Sequence, residues 1–473
     1  MTRPASTAAL PARRLDSNGV AQVDRAAILG LAAPLMLNSM IQAVLSLTDT
    51  WFIGHLSTSA LAAIASVYFL LMLIIFFLSG VTLCVQTLVA QAFGARRYRR
   101  AGEAVWSGLW AALTVTPAFL LVAALGTPIL GLFDLQPSIQ ALAVDFWQPR
   151  LWGGPFAAAL MGLMGFFNGI GRTRITLAIT AVVVVVNALL NALFIYGLGM
   201  GIAGSAWATT CAQLIGVVVA LRLFLSHEPR RFRPLATWRP RSRRLARQFT
   251  LGIPMAMGGT ADMGAAALFQ IMQVRMSAVD GAATQIVMML TSLVYMPGIG
   301  FALAGTTLVG QAIGAGDRDW AARLGGEAIL MVATMMGAAG IAIALAGPWL
   351  APLFVDAQDP DAHAVVQLAI MLLWIAAVYQ YFDGLNFASA LCLRGAGDAA
   401  VPAVLVLGLG LCVFVPLTHL LTFPAGEGYV PALPGVGLGA TGGWSALVVY
   451  VLLLGSLLYR RWRRGAWRRI ELD

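Results

Sequence analysis

The chain has 473 residues, 60% of them hydrophobic and only 11% charged, with a mean hydropathy of +0.84. Soluble domains carry about 25% charged residues, so the composition excludes a soluble globular protein and marks an integral membrane protein. All 30 basic residues are arginine, against 20 acidic ones, for a net charge of +10. That charge is spread over several polar connections, which excludes nucleic acid as the partner and fits orientation in a membrane with attraction to acidic lipids.

Residues 1–25 form a polar, arginine-bearing tail. The apolar run that follows is too long for a signal-peptide core and has no clear cleavage site, so it predicts a retained first helix. A spanning helix needs roughly 20 apolar residues. The first six such stretches lie near 26–54, 60–93, 102–132, 139–168, 173–199 and 203–226. Residues 227–247, with Pro229, Pro234 and Pro240, read as a basic linker. Six more stretches follow near 248–276, 281–313, 323–350, 364–392, 399–423 and 438–459, before a basic tail at 460–473. The expected organisation is an amino-terminal lobe over 26–226 and a carboxy-terminal lobe over 248–459.

A repeat supports two lobes. Thr87-Leu88-Val89-Ala90-Gln91-Ala92-Phe93-Gly94-Ala95 recurs 220 positions later as Thr307-Leu308-Val309-Gly310-Gln311-Ala312-Ile313-Gly314-Ala315. Pro34 and Pro254 keep the same offset, as do Gly80 and Gly300. Six spans separate the copies, an even number, so both halves share one orientation. The fold class is an all-α membrane protein, with 12 transmembrane helices in two six-helix lobes related by a parallel repeat, a pseudo-two-fold along the membrane normal. Arginines fall on the termini and the even-numbered connections: Arg96 to Arg100, Arg172, Arg174, Arg230 to Arg247, Arg318, Arg323, Arg394 and Arg460 to Arg469. Odd-numbered connections are neutral or acidic, with Asp356, Asp359, Asp361 and Glu427. The positive-inside rule then predicts both termini in the cytoplasm. Arg150 and Arg275 are the exceptions, and Arg150 is expected to pair with Asp145 toward the outer side.

Enzymatic chemistry finds no footing. Cys84, Cys211, Cys392 and Cys412 lie inside apolar stretches without metal-ligand spacing, and the four histidines are scattered. Gly169 to Arg172 and Arg394 to Gly397 resemble glycine-rich loops, but they lack a strand before them and read as short turns. No cofactor is expected. Without a nucleotide site, transport needs an ion gradient or a partner.

Ionisable groups inside spans are costly and usually face a pathway. Asp49, Asp262 and Asp383 are the clear cases. Asn38, Gln42, Ser46 and Asp49 form one polar stripe on the first span. Asn187 and Asn191 stand one turn apart on the fifth, and Gln380, Asp383 and Asn386 gather on the tenth. Interhelical hydrogen bonding explains scattered amides but not unpaired acids. A lone carboxylate in low dielectric exchanges between a protonated form and one neutralised by Na+ or an organic cation, as an antiporter requires. Flexible methionines of the seventh and eighth spans, among them Met257, Met263, Met288 and Met289, suit an adaptable pocket, with Tyr379 beside them. Lipid-facing or core packing is the alternative role for such methionines.

With these residues in view, the chain resembles the multidrug and toxic compound extrusion (MATE) family, in its NorM-like bacterial branch, from about Ala26 to Tyr459. The resemblance rests on Asp49-Thr50-Trp51-Phe52-Ile53-Gly54-His55-Leu56 followed by Ala60-Leu61-Ala62-Ala63, and on Tyr379-Gln380-Tyr381-Phe382-Asp383-Gly384 followed by Leu393-Arg394-Gly395-Ala396-Gly397-Asp398. Asn187, Asn191, Gly204-Ser205-Ala206-Trp207-Ala208 and the repeated segment add to it. The resemblance implies two six-helix lobes around a central cavity, and efflux of cationic, lipophilic compounds by Na+ or H+ antiport. It implies that Asp49 is the acid of the amino-terminal lobe, with Asn187 and Asn191 beside it. It also implies that Asp383 belongs to the carboxy-terminal cation site, with Na+ at Asp383 and Asp262. Asp262 stands where NorM-like members usually carry Glu, which shortens that arm by one methylene. Gln285 stands where many relatives have His.

The expectation is therefore a monomeric, multi-pass antiporter of the bacterial inner membrane, whose partners are small cationic or lipophilic molecules and membrane lipids. The alternative is a lipid-linked oligosaccharide flippase of the same superfamily. Such a protein needs cationic side chains in its cavity for pyrophosphate, so Arg150 and Arg275 both pointing inward would favour it. A non-transporting scaffold would instead pair its intramembrane acids and pack them away from water.

Overall fold

Large apolar side chains cover the outside of the helices as well as their core. On the first helix alone, Leu37, Val44, Leu47 and Trp51 are each about half exposed. Such a surface is at home in lipid rather than in water. The computed structural model describes residues 10–133, 136–356, 360–430 and 434–470. Residues 1–9 and 471–473 of the two expected tails, Asp359, and the side chains of Leu61 and Ala62 lie outside the described residues.

The first span is α1 (Arg25–Gly54), capped by Asp24, whose carboxylate accepts from the Ala26 and Ala27 amides. The second is α2 (Thr58–Ser79), which passes through a 3-10 turn at Gly80–Thr82 into α3 (Cys84–Gly94). The third is α4 (Tyr98–Ala124) with the short α5 (Gly126–Gly131), and the fourth is α6 (Pro137–Trp152) with α7 (Gly154–Gly169). The fifth, α8 (Thr173–Asn191), widens into a π-helical turn at Ala192–Gly197, and the sixth is α9 (Gly201–Ser226). After the linker helix α10 (Pro229–Phe232) come α11 (Ser242–Met276), α12 (Ala278–Gly314), α13 (Arg318–Leu350) and α14 (Ala362–Gly395). The eleventh span joins α15 (Ala400–Leu409), a π turn at Gly410–Phe414 and α16 (Val415–Thr422), and the twelfth is α17 (Gly439–Arg464).

Twelve traverses match the sequence reading, and 10 of them are long and apolar enough to cross a membrane by length and composition. The other two fail for local reasons. The fourth is interrupted at Gly153 into two 16-residue helices. The seventh, α11, carries Asp262, Arg275 and several arginines in its first turns. The turns at Gly171 and Gly397 both have left-handed backbone, with φ of +79° and +89°. In each, the next amide bonds back five residues, Arg172 to the Phe167 carbonyl and Asp398 to that of Leu393. That is the glycine-terminated helix end of a Schellman motif, which bears out the reading of both glycine-rich stretches as turns.

Two details depart from the sequence expectation. The amino-terminal tail is not purely irregular: β1 (Arg13–Leu15) and β2 (Ala21–Val23) pair antiparallel. Asp16 nucleates their turn by accepting from the Asn18 and Val20 amides, an Asx-turn device. The linker is also shorter than expected, because α11 begins at Ser242. Its Phe232 is buried against Phe166, and the Trp106 and Trp110 indoles donate to the Pro234 and Trp238 carbonyls.

The repeated segment joins the halves. Thr87 Oγ1 donates to the Arg394 carbonyl at 3.0 Å, and its repeat mate Thr307 donates to that of Asn168 at 3.0 Å. Gln91 Nε2 donates to the Gly395 carbonyl at 2.9 Å, while Gln311 Nε2 donates to that of Gly169 at 2.8 Å. A Cβ on Gly94 would collide with the Gln311 carbonyl, and one on Gly314 with the Gln91 carbonyl. The same reciprocity puts Gly80 on Ala256 and Gly300 on Leu35 and Met36. These contacts lie toward the arginine-bearing connections, where Arg97, Arg100, Arg241 to Arg247 and Arg318 line one cavity. The halves are closed on each other at that end.

Candidate functional site

The amino-terminal half builds its site on α1, α8 and α9. Asn187 and Asn191 share one face of α8 because they are four residues apart, and both are fully buried. Asn191 Nδ2 donates to Asp49 Oδ1 at 2.8 Å, and Thr209 Oγ1 to Asp49 Oδ2 at 3.0 Å. The asparagines are themselves linked, Asn191 Nδ2 to Asn187 Oδ1 at 3.1 Å, and Asn187 Nδ2 reaches Thr209 Oγ1 at 3.2 Å. Both carboxylate oxygens are thus held by neutral donors on two neighbouring helices. The π-helical turn starts directly after Asn191, a placement frequent at functional sites.

Arg150 of α6 is the cationic side chain that acts on Asp49. It is only 8% exposed, and its Nη1 has no hydrogen-bond partner among the described residues. The expected pair with exposed Asp145 is not formed; burial directs the guanidinium inward, toward the carboxylate in the same low-dielectric interior. Arg275, by contrast, lies over the Tyr429 ring at 4.1 Å and donates to the Gly428 carbonyl.

The carboxy-terminal half has a different composition. Tyr379 OH donates to Asp383 Oδ2 at 3.0 Å, and Asn386 Nδ2 stands 3.5 Å from Asp383 Oδ1. Asp262 of α11 is the charged group acting on Asp383, and among the described residues no cationic side chain contributes there. Tyr295, Tyr379 and Tyr450 share the field of both acids. Asp262 itself makes no hydrogen bond among the described residues. Trp444, fully buried, packs beside Tyr379 at 6.2 Å, with Phe269 edge-on at 5.6 Å.

The structure therefore brings together Asp49, Asn187 and Asn191 in one cluster, and Asp262, Asp383 and Tyr379 in another. Asn38 is buried with an unpaired Oδ1, Gln42 is exposed, and neither bonds to Asp49. Ser46 leaves the stripe to bond Tyr68 OH at 2.7 Å. Gln380 is buried but donates to the Thr291 carbonyl at 3.0 Å rather than to Asp383. Met288 packs on the core of the second half and Met263 is half-buried, whereas Met257 and Met289 are 41% and 50% exposed. Gln285 bonds Gln270. Thr209, Tyr295 and Tyr450 were not anticipated; the one signal for Thr209 was its place beside the Gly204 to Ala208 motif.

The MatE family model matches residues 34–193 and 254–418, two stretches whose starts keep the repeat offset. A probable multidrug resistance protein NorM of Bradyrhizobium diazoefficiens is 30% identical over 448 residues, covering 93% of this chain and 94% of its own. A protein of the same description from Brucella suis is 29% identical over 451 residues, covering 92% of each chain. Among solved structures, an outward-facing multidrug resistance MATE family transporter of the MOP superfamily superposes with a TM-score of 0.80 at 20% identity, over 94% of this chain and 96% of its own. A MOP superfamily transporter from Pyrococcus furiosus, described by a reversed polarity of its binding pocket, gives 0.78 at 19% identity, over 94% and 96%. The chain belongs to the MatE family: it is a NorM-like member of the multidrug and toxic compound extrusion transporters.

Proposed function

We propose that the chain is a multidrug antiporter of the bacterial cytoplasmic membrane that exports cationic, lipophilic compounds in exchange for Na+ or H+. The observation that carries this reading is the pair of acids on α11 and α14: the charge of Asp262 acts on Asp383, and among the described residues no cationic side chain does. Two carboxylates in an apolar interior resist being ionised together without a counter-charge, and the described residues place no cationic side chain in the field of Asp383. A proton, a Na+ ion on the carboxylate and phenol oxygens, or a cationic solute against Trp444 and Tyr379 would each meet that need. Competition among the three is what couples export to the gradient.

Asp49 is proposed as the second station, held by Asn191 and Thr209 and moderated by Arg150. Arginine-rich connections support cytoplasmic termini. With that end inside, the closed seam makes the described arrangement outward-facing. Lobes over 26–226 and 248–459 that rock about the seam, in a monomer surrounded by lipid, complete the proposal. The flippase alternative required Arg150 and Arg275 both to point inward. Arg275 stacks on Tyr429 instead, and the second half is acidic.

Dye efflux in cells expressing Asp383→Asn or Asp49→Asn at wild-type abundance tests the assignment. Efflux should fall at least tenfold for Asp383→Asn and less steeply for Asp49→Asn. Wild-type rates in both variants would remove these residues from the mechanism.

A further inference from the structure

At the arginine-rich end a cavity of about 890 Å³ opens between the halves, and seven arginines line it against a single acid, Glu103. Both Glu103 oxygens already face cations: Oε2 lies 2.8 Å from Arg244 and Oε1 lies 3.6 Å from Arg99. Arg97 and Arg100 open α4, while Arg241 and Arg243 stand at the start of α11. These four are exposed and make no side-chain hydrogen bond or ion pair among the described residues. Orientation in the membrane requires arginines on this side. It does not require them to converge on one concave site from helices far apart in sequence, where Arg97, Arg100, Arg241 and Arg243 form no ion pair among the described residues.

We infer that this cavity is a binding site for a phosphate-bearing polyanion, separate from the intramembrane acids. Guanidinium groups bind phosphate oxygens through paired N–H donors. The volume lies in the range of small-ligand sites and exceeds what one phosphate fills. Leu88 and Ile313 on the wall give it an apolar side as well. Two sources share this chemistry: the headgroup of an acidic phospholipid, and a soluble polyphosphate. Gly314 on the C-terminal side and Gln91 on the N-terminal side, both seam residues, line the same cavity. A polyanion bound there touches both halves at once where they close.

The test uses the full-length chain in nanodiscs of zwitterionic lipid, with the thermal unfolding midpoint read at constant ionic strength. One arm titrates inorganic tripolyphosphate; the other raises the fraction of phosphatidylglycerol. A saturable rise in the midpoint is expected in at least one arm. In Arg97→Gln/Arg100→Gln/Arg243→Gln the apparent affinity should weaken at least tenfold. It should hold within twofold in Arg230→Gln/Arg239→Gln/Arg464→Gln, which removes equal charge outside the cavity. A response to tripolyphosphate alone identifies a soluble ligand, and a response to lipid alone identifies a headgroup. No saturable rise in either arm, or equal weakening in both triple variants, overturns the site. If the cavity variant does not fold, Arg100→Gln and Arg243→Gln singly carry the same comparison, each with at least a threefold loss expected.

Discussion

Asp383 is a buried acid and Asp49 a half-buried one, and their surroundings ask different things of them. Asp49 has two neutral donors and a cation in its field. Asp383 has a phenol, a distant amide and a second acid. Thr209 is the donor most easily removed without changing shape. Thr209→Val should cost about 1–3 kcal/mol, since the half-buried Asp49 carboxylate and the buried Asn187 amide both lose a partner; unfolding of the purified protein in detergent measures it. A cost below a few tenths would mean that the cluster is wet. Another residue-scale prediction concerns Arg96, whose φ of +57° is the left-handed conformation that Gly316 supplies at the matching place in the second half. Arg96→Gly should raise stability by about 1 kcal/mol by relieving that strain, seen as a higher unfolding midpoint. Asp49, Asn187 and Asn191 were legible because polar letters stand out in an apolar helix. Thr209 and Arg150 were not. Threonine is ordinary in a span, where its hydroxyl can bond its own helix, and the letters do not say that Arg150 is buried while Asp145, its expected partner, is exposed.

Glycines decide how closely the elements approach. The lobes meet through backbone carbonyls at Gly94 and Gly314, with no room for a methyl group at either. Gly94→Ala or Gly314→Ala should destabilise the closed seam by about 1–3 kcal/mol, as overpacking does. Gly30, in the second turn of α1, has nothing within 4 Å of a Cβ. Gly30→Ala should therefore gain about 1 kcal/mol of helix propensity, and thermal unfolding of the three variants side by side checks the contrast. Equal effects at Gly30 and Gly94 would mean that the seam is not tight. Span count was readable from apolar length, because a bilayer fixes how much each helix needs. The broken fourth span and the π turns were not readable, since they depend on which neighbour a helix packs against. The tail hairpin was missed because the polar tail was read by composition, without weighing its Asp16-Ser17-Asn18-Gly19 turn.

At the scale of the molecule, one frame carries two electrostatic designs. The reciprocal seam bonds match Asn168 with Arg394 and Gly169 with Gly395, 226 positions apart. At that spacing Arg150 corresponds to Ala376, and Asp383 to Ala157. In the 220-residue register, Asp49 corresponds to Phe269 and Asp262 to Gln42. Among the described residues, one half therefore holds an acid with a cation in its field, and the other holds two acids with none acting on Asp383. The repeat was legible as letters, but its divergence acquired meaning only when the side chains were seen facing one another. Alternating access needs both halves to move about the seam, while the ion and drug are expected to bind mainly in the second. The most direct test is uptake of a cationic dye into proteoliposomes energised by an imposed Na+ gradient or an imposed pH gradient. The account predicts that at least one gradient drives uptake by the wild-type chain, and that the same gradient fails with Asp383→Asn at equal reconstitution. Uptake in the variant that matches wild type under every driving gradient would contradict it.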